Sequence, residues 1–217
     1  MTRSITSALL AITLTLGCSG VVVAQAPKPK PAQAKAVDLF DAALVAYDRK
    51  DYATAASLFR SLAAQGYADA QYNLGQMYRN GQGVTQDYKE AARLYGLAAA
   101  QGYADAQYNL GLMYRNGQGV AQDYKEAMRL YRLAAAQGDA DAQYNLGFMY
   151  ASGQGVPQDF VRSHMWYNLA AASLSGEDQK NASTQRDNVA AKMTPAQIAE
   201  AQAMARKCQA TNFKKCD

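Results

Sequence analysis

A block of 36 residues occurs twice in direct succession, at 67–102 and 103–138, and a looser third copy begins at Asp139. Self-similarity at a fixed period of this length is typical of repeat proteins, in which each unit packs mainly against its neighbours. This periodicity therefore constrains the fold more than any other feature of the chain. The two near-identical copies differ at four positions: Gln76/Leu112, Thr85/Ala121, Ala92/Met128 and Gly96/Arg132.

Each unit carries the pattern of two helices joined by a glycine-rich turn. In the first copy, apolar residues recur at helical spacing over 68–79, and Asn80-Gly81 is typical of a left-handed helix stop. A second helix opens at Asp87, with Glu90 three positions later as in a capping box. Because strand-forming residues are also scarce, the chain is predicted to be all-α.

Glycine occurs inside the first helix of every copy, at Gly75, Gly111 and Gly147. A glycine in a helix interior costs about 1 kcal/mol relative to alanine. We therefore expect a neighbouring helix to approach closely at these positions.

The N-terminus has the layout of a secretory signal peptide over residues 1–24, with a basic start, a short apolar run and cleavage near Ala24. Residues 25–35, rich in proline and lysine, are expected to form an extended linker. These features predict a periplasmic or secreted protein, and the apolar run is too short for a transmembrane span. The alternative is an outer-membrane lipoprotein with a lipid anchor at Cys18, because Gly17-Cys18 fits part of that cleavage motif.

Two regions flank the full repeats. Residues 36–66 form a shorter first unit, and residues 175–217 depart from the repeat pattern. The second region contains helical patterns at 177–192 and 195–207, the latter preceded by the cap signal Thr194-Pro195-Ala196-Gln197. These helices are predicted to cap the exposed end of the stack, as solenoids require.

Cys208 and Cys216 remain after removal of the signal peptide. In an oxidising compartment such a pair favours a local disulfide. A straight helix would hold the two residues about 12 Å apart, which is too far to bridge. The helix is therefore expected to end between them, near Thr211-Asn212. A metal or redox pair is the alternative, although it needs closer spacing and more ligands.

The order of residues within each unit resembles the Sel-one-like repeat, a relative of the tetratricopeptide repeat with a longer internal turn. The resemblance covers residues 36–174, and the short first unit looks more like a true tetratricopeptide repeat. It rests on this pattern, which recurs at 106–138 and from 142: Ala70-x-x-x-Leu74-Gly75-x-x-Tyr78-x-x-Gly81-x-Gly83-Val84-x-x-Asp87-x-x-x-Ala91-x-x-Leu94-Tyr95-x-x-Ala98-Ala99-x-x-Gly102.

The resemblance implies a right-handed α-α superhelical solenoid of stacked helix pairs, with the first helix of each pair lining the concave side. The domains are then a tetratricopeptide-like unit at 36–66, Sel-one-like repeats at 67–102, 103–138 and 139–174, and a C-terminal helical cap at 175–217. It also implies a non-enzymatic scaffold or adaptor. The expected partner is another periplasmic or envelope protein, bound through a peptide segment in the concave groove.

Carrying the tetratricopeptide pattern over assigns polar and aromatic side chains to that groove. Asparagine can donate and accept at a peptide backbone, and arginine can pair with a carboxylate. The alternative is that the asparagines only hydrogen-bond across adjacent helices. The predicted groove residues are Tyr72, Asn73, Gln76, Arg79, Tyr108, Asn109, Leu112, Arg115, Tyr144, Asn145, Phe148 and Ala151. From Gln76 through Leu112 to Phe148 the groove would change from polar to apolar.

Other chemistry has little support in the sequence. His164 is the only histidine, and Ala92 and Met128 hold its position in the other copies, so a partly exposed structural histidine is expected. No zinc motif or other cofactor site is indicated. Lysine and arginine are interspersed with acids, which does not favour nucleic acid binding. The alternative function is cell-wall glycan or peptidoglycan binding by the tyrosine rows, and hydrolysis would need two facing carboxylates.

Overall fold

The computed structural model describes residues 31–214 and 216. The chain divides into two units, residues 1–38 and 39–217. The predicted signal peptide and Cys18 lie outside the described residues. Within them the helices are α1 Pro31–Asp48, α2 Tyr52–Ala64, α3 Ala68–Asn80, α4 Tyr88–Ala100, α5 Ala104–Asn116, α6 Tyr124–Ala135, α7 Ala140–Ser152, α8 Phe160–Ser173, α9 Gly176–Ala190 and α10 Pro195–Ala210.

The start of α1 differs from the expected linker boundary. The helix begins at Pro31, so residues 31–35 are helical although the composition of 25–35 favoured an extended linker. Proline is well tolerated in the first turn of a helix, because its missing N–H would have no intrahelical partner there. The following Ala-Gln-Ala-Lys segment consists of good helix formers.

Within residues 39–217 the helices pack as successive pairs. Helix α3 packs on α4, α5 on α6 and α7 on α8, and consecutive pairs meet where α4 contacts α5 and α6 contacts α7. Helix α2 packs on α3 in the same way. No strand occurs in the described ranges. The prediction of an all-α solenoid of stacked helix pairs is confirmed.

The three helix-interior glycines lie against buried tyrosine rings. A Cβ atom on Gly75 would come within 2.9 Å of the Tyr95 ring, and one on Gly111 within 2.7 Å of the Tyr131 ring. Gly147 meets Tyr167 in the same way, at 2.8 Å. The expected close approach is therefore present, and its contact is an aromatic ring from the second helix of the same repeat.

The helix caps agree with the sequence in part. Asp87 caps α4, because its side chain accepts hydrogen bonds from the backbone N–H groups of Lys89 and Glu90. The reciprocal half of the predicted capping box is not formed. Glu90 instead pairs with Arg93, at 2.6 Å, and the backbone N–H of Asp87 donates to the carbonyl of Tyr78. The complete capping box occurs at α10, between Thr194 and Gln197.

Helix α9 retains the glutamine position of the repeat, although most of its sequence does not follow the repeat pattern. Gln179 follows Gln143 by 36 residues, and its Nε2 donates to the carbonyl of Ala171 at 3.1 Å. Gln107 makes the equivalent bond to Ala99 at 3.2 Å. Helix α9 therefore packs on α8 in the place of the first helix of a further, degenerate unit, although its sequence departs from the repeat as expected.

Helix α10 does depart from the repeat, because it packs back onto α8. Its buried face consists of Ala201, Ala205 and Cys208. The chain then turns, α10 ends at Ala210, and the sulfur atoms of Cys208 and Cys216 lie at bonding distance with their Cα atoms 4.5 Å apart. A helix end between the two cysteines was the geometry expected from the sequence.

Two of the four differences between the near-identical copies lie on the path of this tail. Met128 belongs to the core cluster that includes Ala201, Ala205 and Cys208. Arg132 lines a cavity of about 400 Å³ together with Trp166 and Phe213. The equivalent residues of the preceding copy are Ala92 and Gly96. The second copy is therefore adapted to the C-terminal segment.

Candidate functional site

The predicted groove asparagines form hydrogen bonds between consecutive repeats. Arg79 donates from Nη1 to Oδ1 of Asn109 at 2.9 Å, and Arg115 makes the same bond to Asn145. Each asparagine also donates from Nδ2 to the carbonyl four residues earlier in its own helix, at 2.7 Å for Asn73 and 2.8 Å for the other two. Asn109 and Asn145 therefore have the structural role that the sequence left open as the alternative.

Asn73 differs from its two copies because the unit before it has no arginine at the equivalent position. Arg79 and Arg115 each follow the tyrosine near the end of the first helix of the preceding unit, whereas the shorter first unit has Asp48 after the equivalent Tyr47. The ladder of arginine–asparagine bonds therefore begins at the second repeat. Its last arginine position is occupied by Ala151, 30 residues before Asn181.

The predicted groove tyrosines pack against buried tyrosines of the core. Tyr72 contacts Tyr95 and Tyr108 contacts Tyr131, with ring centroids 5.8 and 5.9 Å apart. Tyr72 is also covered by Tyr103 of the next repeat, at 5.1 Å between centroids. At the step from the first to the second repeat, an aromatic ring thus occupies the groove.

At the step from the second to the third repeat, no such ring of the described residues covers the groove tyrosine, Tyr108. The residue equivalent to Tyr103 is Asp139, whose carboxylate caps α7 by accepting a hydrogen bond from the N–H of Ala142 at 2.7 Å. A cleft of about 490 Å³ lies here between α5, α7 and α9. This third-repeat cleft is lined by Tyr108, Leu112, Arg115, Asp141, Tyr144, Asn145, Phe148, Leu174, Asp178 and Asn181.

The cleft combines apolar and charged groups. Phe148 is 37% exposed, and the guanidinium of Arg115 lies over its ring at 5.5 Å from the centroid. Burial raises the pKa of the Asp141 carboxyl, and the nearby charge of Asp178 raises it further. Burial also raises the pKa of Tyr108 to about 12, and Asp141 and Asp139 add to this shift. Negative potential therefore accumulates on one side of the cleft.

The structure brings together only part of the predicted groove. Six predicted residues line the third-repeat cleft: Tyr108, Leu112, Arg115, Tyr144, Asn145 and Phe148. The first-repeat residues and Asn109 do not line it, and Ala151 is likewise outside. Whether the cleft residues bind a partner stays a prediction.

Four cleft residues escaped the sequence reasoning: Asp141, Leu174, Asp178 and Asn181. Asn181 carried a signal, because it follows Asn145 by one repeat length of 36 residues. The rest of α9 diverges too far from the repeat for that spacing to stand out. Asp141 lies in the first turn of α7, where a favourable charge at the helix N-terminus is enough to account for it.

His164 is 3% exposed, so it is buried rather than partly exposed as expected. Burial lowers its pKa, and the charge of Arg186 lowers it further.

Among the described residues no group of three or more His, Cys, Asp or Glu side chains is arranged to hold a metal ion. Over the same part of the chain, no helix has both the length and the apolar character needed to cross a membrane.

Stacked helix pairs with a cleft between their first helices define an α-helical repeat protein of the solenoid class. The family model of the Sel1 repeat matches residues 47–67, 68–103, 104–139 and 140–173, which together make up more than half of the chain. The chain belongs to the Sel1 repeat family, as the resemblance implied. The first matched range, 47–67, covers the second helix of the shorter first unit, which the sequence likened to a tetratricopeptide repeat.

Two solved structures support this assignment. The first is c5321, a protective antigen of uropathogenic Escherichia coli strains with an SLR fold, at 38% identity and a TM-score of 0.64. The similarity covers 68% of this chain and 33% of that protein, so this chain spans about a third of the length of c5321. The second is a Sel1 repeat protein from Oxalobacter formigenes, at 27% identity and a TM-score of 0.61, covering 80% of this chain and 78% of the other.

Comparison with curated proteins yields no significant match. Sel1 repeat proteins generally act as scaffolds for protein–protein interactions, and the fold is typically non-catalytic.

Proposed function

We propose that this chain is a periplasmic interaction scaffold that holds a peptide segment of a partner protein in the third-repeat cleft. The observation that carries the proposal is the cleft itself. Six side chains predicted for the groove meet there, around an opening of about 490 Å³. A cleft of this size accommodates a few peptide side chains, and its rigid aromatic residues lose little entropy on binding.

The location rests on the N-terminal sequence. A basic start, a short apolar run and small residues before Ala24 support export and cleavage. The lipid anchor at Cys18 is the competing proposal. Intact mass of the protein purified from cells separates them, because cleavage near Ala24 removes Cys18 and lipidation requires it.

A disulfide between Cys208 and Cys216 fits an exported protein, and we include it in the proposal. The two sulfur atoms are already at bonding distance in the structure. The bond would join the turn after Ala210 to α10 and hold the tail against α8. Mass analysis with and without reduction, after thiol alkylation, tests its presence.

A photo-crosslinking amino acid tests the proposed function directly. We expect this amino acid, incorporated at position 148 in place of Phe148 in cells that export the protein, to form an adduct with one partner protein. The adduct should map to one segment of that partner. The matched control position is Leu97, which is 41% exposed on the surface of α4 and does not line the cleft. Equal adducts from both positions, or no adduct from Phe148, would contradict the proposed site.

Glycan binding is supported less well by the geometry. Sugar stacking needs open aromatic faces, and Tyr72, Tyr108 and Tyr144 each pack against a core tyrosine. Sedimentation with purified peptidoglycan separates the two functions. Co-sedimentation that survives substitution of Phe148 by alanine would favour a glycan surface elsewhere on the molecule.

A further inference from the structure

We infer that the third-repeat cleft selects a peptide segment with a lysine or arginine beside an apolar side chain. This inference rests on the proposed function and adds the chemistry of the partner. It starts from the charges that line the cleft and from the partners that those charges have within the protein.

The acidic side of the cleft consists of Asp141 on α7 and Asp178 on α9. In the part of the chain that the structure describes, neither carboxylate has an ion-pair partner, and the charge of Asp178 raises the pKa of Asp141. Both residues are exposed, and because their carboxylates line the same cleft they repel each other, which a cation between them relieves. The acidic side of the cleft therefore favours a ligand that carries a positive charge.

The cleft contains one cation of its own, Arg115, which is already engaged. Its guanidinium donates to Asn145 and lies over the ring of Phe148. These contacts hold Arg115 at the aromatic side of the cleft. Charge complementarity thus favours a ligand that supplies the cation for Asp141 and Asp178.

The remaining wall is apolar and determines what accompanies that cation. Leu112, Phe148 and Leu174 line the cleft, and Phe148 keeps more than a third of its surface exposed. A lysine or arginine side chain matches both features, since its aliphatic stem packs on apolar groups while its head stays with the carboxylates. A neighbouring apolar residue of the same segment would cover Phe148.

The carboxylate of Asp178 is specific to the end of the stack. The residues that precede Asp178 by one, two and three repeat lengths are Ala142, Ala106 and Ala70, all of them fully buried. Two carboxylates also neighbour each other at the first step, where the charge of Asp105 raises the pKa of Asp69, but there a hydrogen bond from Tyr103 lowers it and Tyr103 covers Tyr72. The charge selectivity is therefore attributed to an acidic pair in an open cleft and not to the repeat in general.

Two labelled peptides of equal length test the inference on the full chain by fluorescence anisotropy. Both alternate Phe with a second residue, which is Lys in one peptide and Gln in the other. We expect the lysine peptide to bind the native protein about tenfold more tightly at low salt, as two partly exposed charge pairs would give. This preference is expected to shrink at high ionic strength.

The variant Asp141→Asn/Asp178→Asn is expected to lose the preference for lysine while it still binds both peptides through the apolar wall. The matched control is Glu177→Gln, which changes an exposed acid next to Asp178 that pairs with Lys180 and does not line the cleft. Circular dichroism confirms that each variant is folded.

Two results would overturn the inference. One is equal binding of the two peptides to the native protein, and the other is a lysine preference that survives the double substitution. Crosslinking from position 148 tests the proposed function separately from the charge preference. Specific adducts without any charge preference would leave the function in place and remove only the inference.

Discussion

Tyr103 packs its ring on that of Tyr72, with 5.1 Å between the centroids, at the step from the first to the second repeat. The same step one repeat later has Asp139 in place of Tyr103, and there the third-repeat cleft opens. Tyr103 thus fills the groove at one step, whereas the following step, which has Asp139 in its place and α9 along its side, is open. The open step is where we expect binding.

The close contact between Gly111 and Tyr131 predicts a substitution that opposes helix propensity. Alanine at Gly111 would place its Cβ 2.7 Å from a ring atom of Tyr131, which is fully buried. We expect Gly111→Ala to lower the free energy of unfolding by about 1–2 kcal/mol, because overpacking outweighs the gain in helix propensity. Urea denaturation followed by far-UV circular dichroism measures this change.

Gly96→Ala is the matched control in helix α4. A Cβ at Gly96 meets no atom within 4 Å, so alanine should raise the free energy of unfolding by about 0.5–1 kcal/mol. Stabilisation by both substitutions would show that the ring of Tyr131 gives way easily, and the close-packing account would then be wrong.

The arginine–asparagine ladder predicts unequal effects at equivalent asparagines. Asn145 is buried and bonds both to Arg115 and to its own helix, whereas Asp48 holds the arginine position in the unit before Asn73. Asn145→Ala is therefore expected to cost about 1–3 kcal/mol of unfolding free energy, since it leaves a donor without its acceptor. Asn73→Ala should cost less than half as much. Equal losses in thermal unfolding would contradict a structural ladder.

Trp166 is the single tryptophan of the chain, and it reports on the C-terminal segment. It lines the cavity that Phe213 and Cys216 also line, and it is almost fully buried. Reduction of the proposed disulfide is expected to release the tail and to shift tryptophan emission to longer wavelength as water reaches the indole. Cys216→Ser should show the shifted emission without reductant. An emission spectrum that is unchanged in both cases would mean that packing on α8 alone holds the tail.

The Asp141 carboxyl predicts a pH-dependent effect on stability. Burial and the charge of Asp178 raise its pKa in the folded state, so the ionised form disfavours folding at neutral pH. This penalty disappears as the pH falls through the raised pKa towards the unfolded value of about 3.9. We expect Asp141→Asn to raise the melting temperature at neutral pH, with a gain that shrinks towards about pH 4. A loss of stability at neutral pH would contradict this balance of charges.

Much of the fold was predictable because short-range sequence signals determine each helix boundary and recur in every repeat. The helix stop at Gly81, the cap at Asp87 and the glycine contact at Gly75 each depend on a few neighbouring residues, and each occurs again one period later. Glu90 was misassigned because Arg93 competes for its carboxylate, and a capping motif does not reveal that competition.

The candidate site was less predictable, because it depends on contacts between different helices and on the absence of a tyrosine at position 139. The asparagines were recognised, but their bonds to Arg79 and Arg115 join residues 30 positions apart on different helices. The effect of Asp139 becomes visible only when Tyr103 is seen to cover Tyr72. Asp178 reaches the cleft because α9 packs as a helix of a further unit, although its sequence has lost most of the pattern.

The substitution Asp139→Tyr, scored by adduct yield from a crosslinker at Phe148, shows whether partner binding requires the open third-repeat cleft. Tyr67 and Tyr103 hold the equivalent position without a side-chain cap, so the repeat tolerates tyrosine there. We predict that Asp139→Tyr remains folded, closes the cleft over Tyr108 and removes most of the adduct. Asp139→Asn, which keeps a short capping side chain, should retain the adduct. An unchanged adduct in a folded Asp139→Tyr protein would contradict the account, because binding would then not require the open cleft.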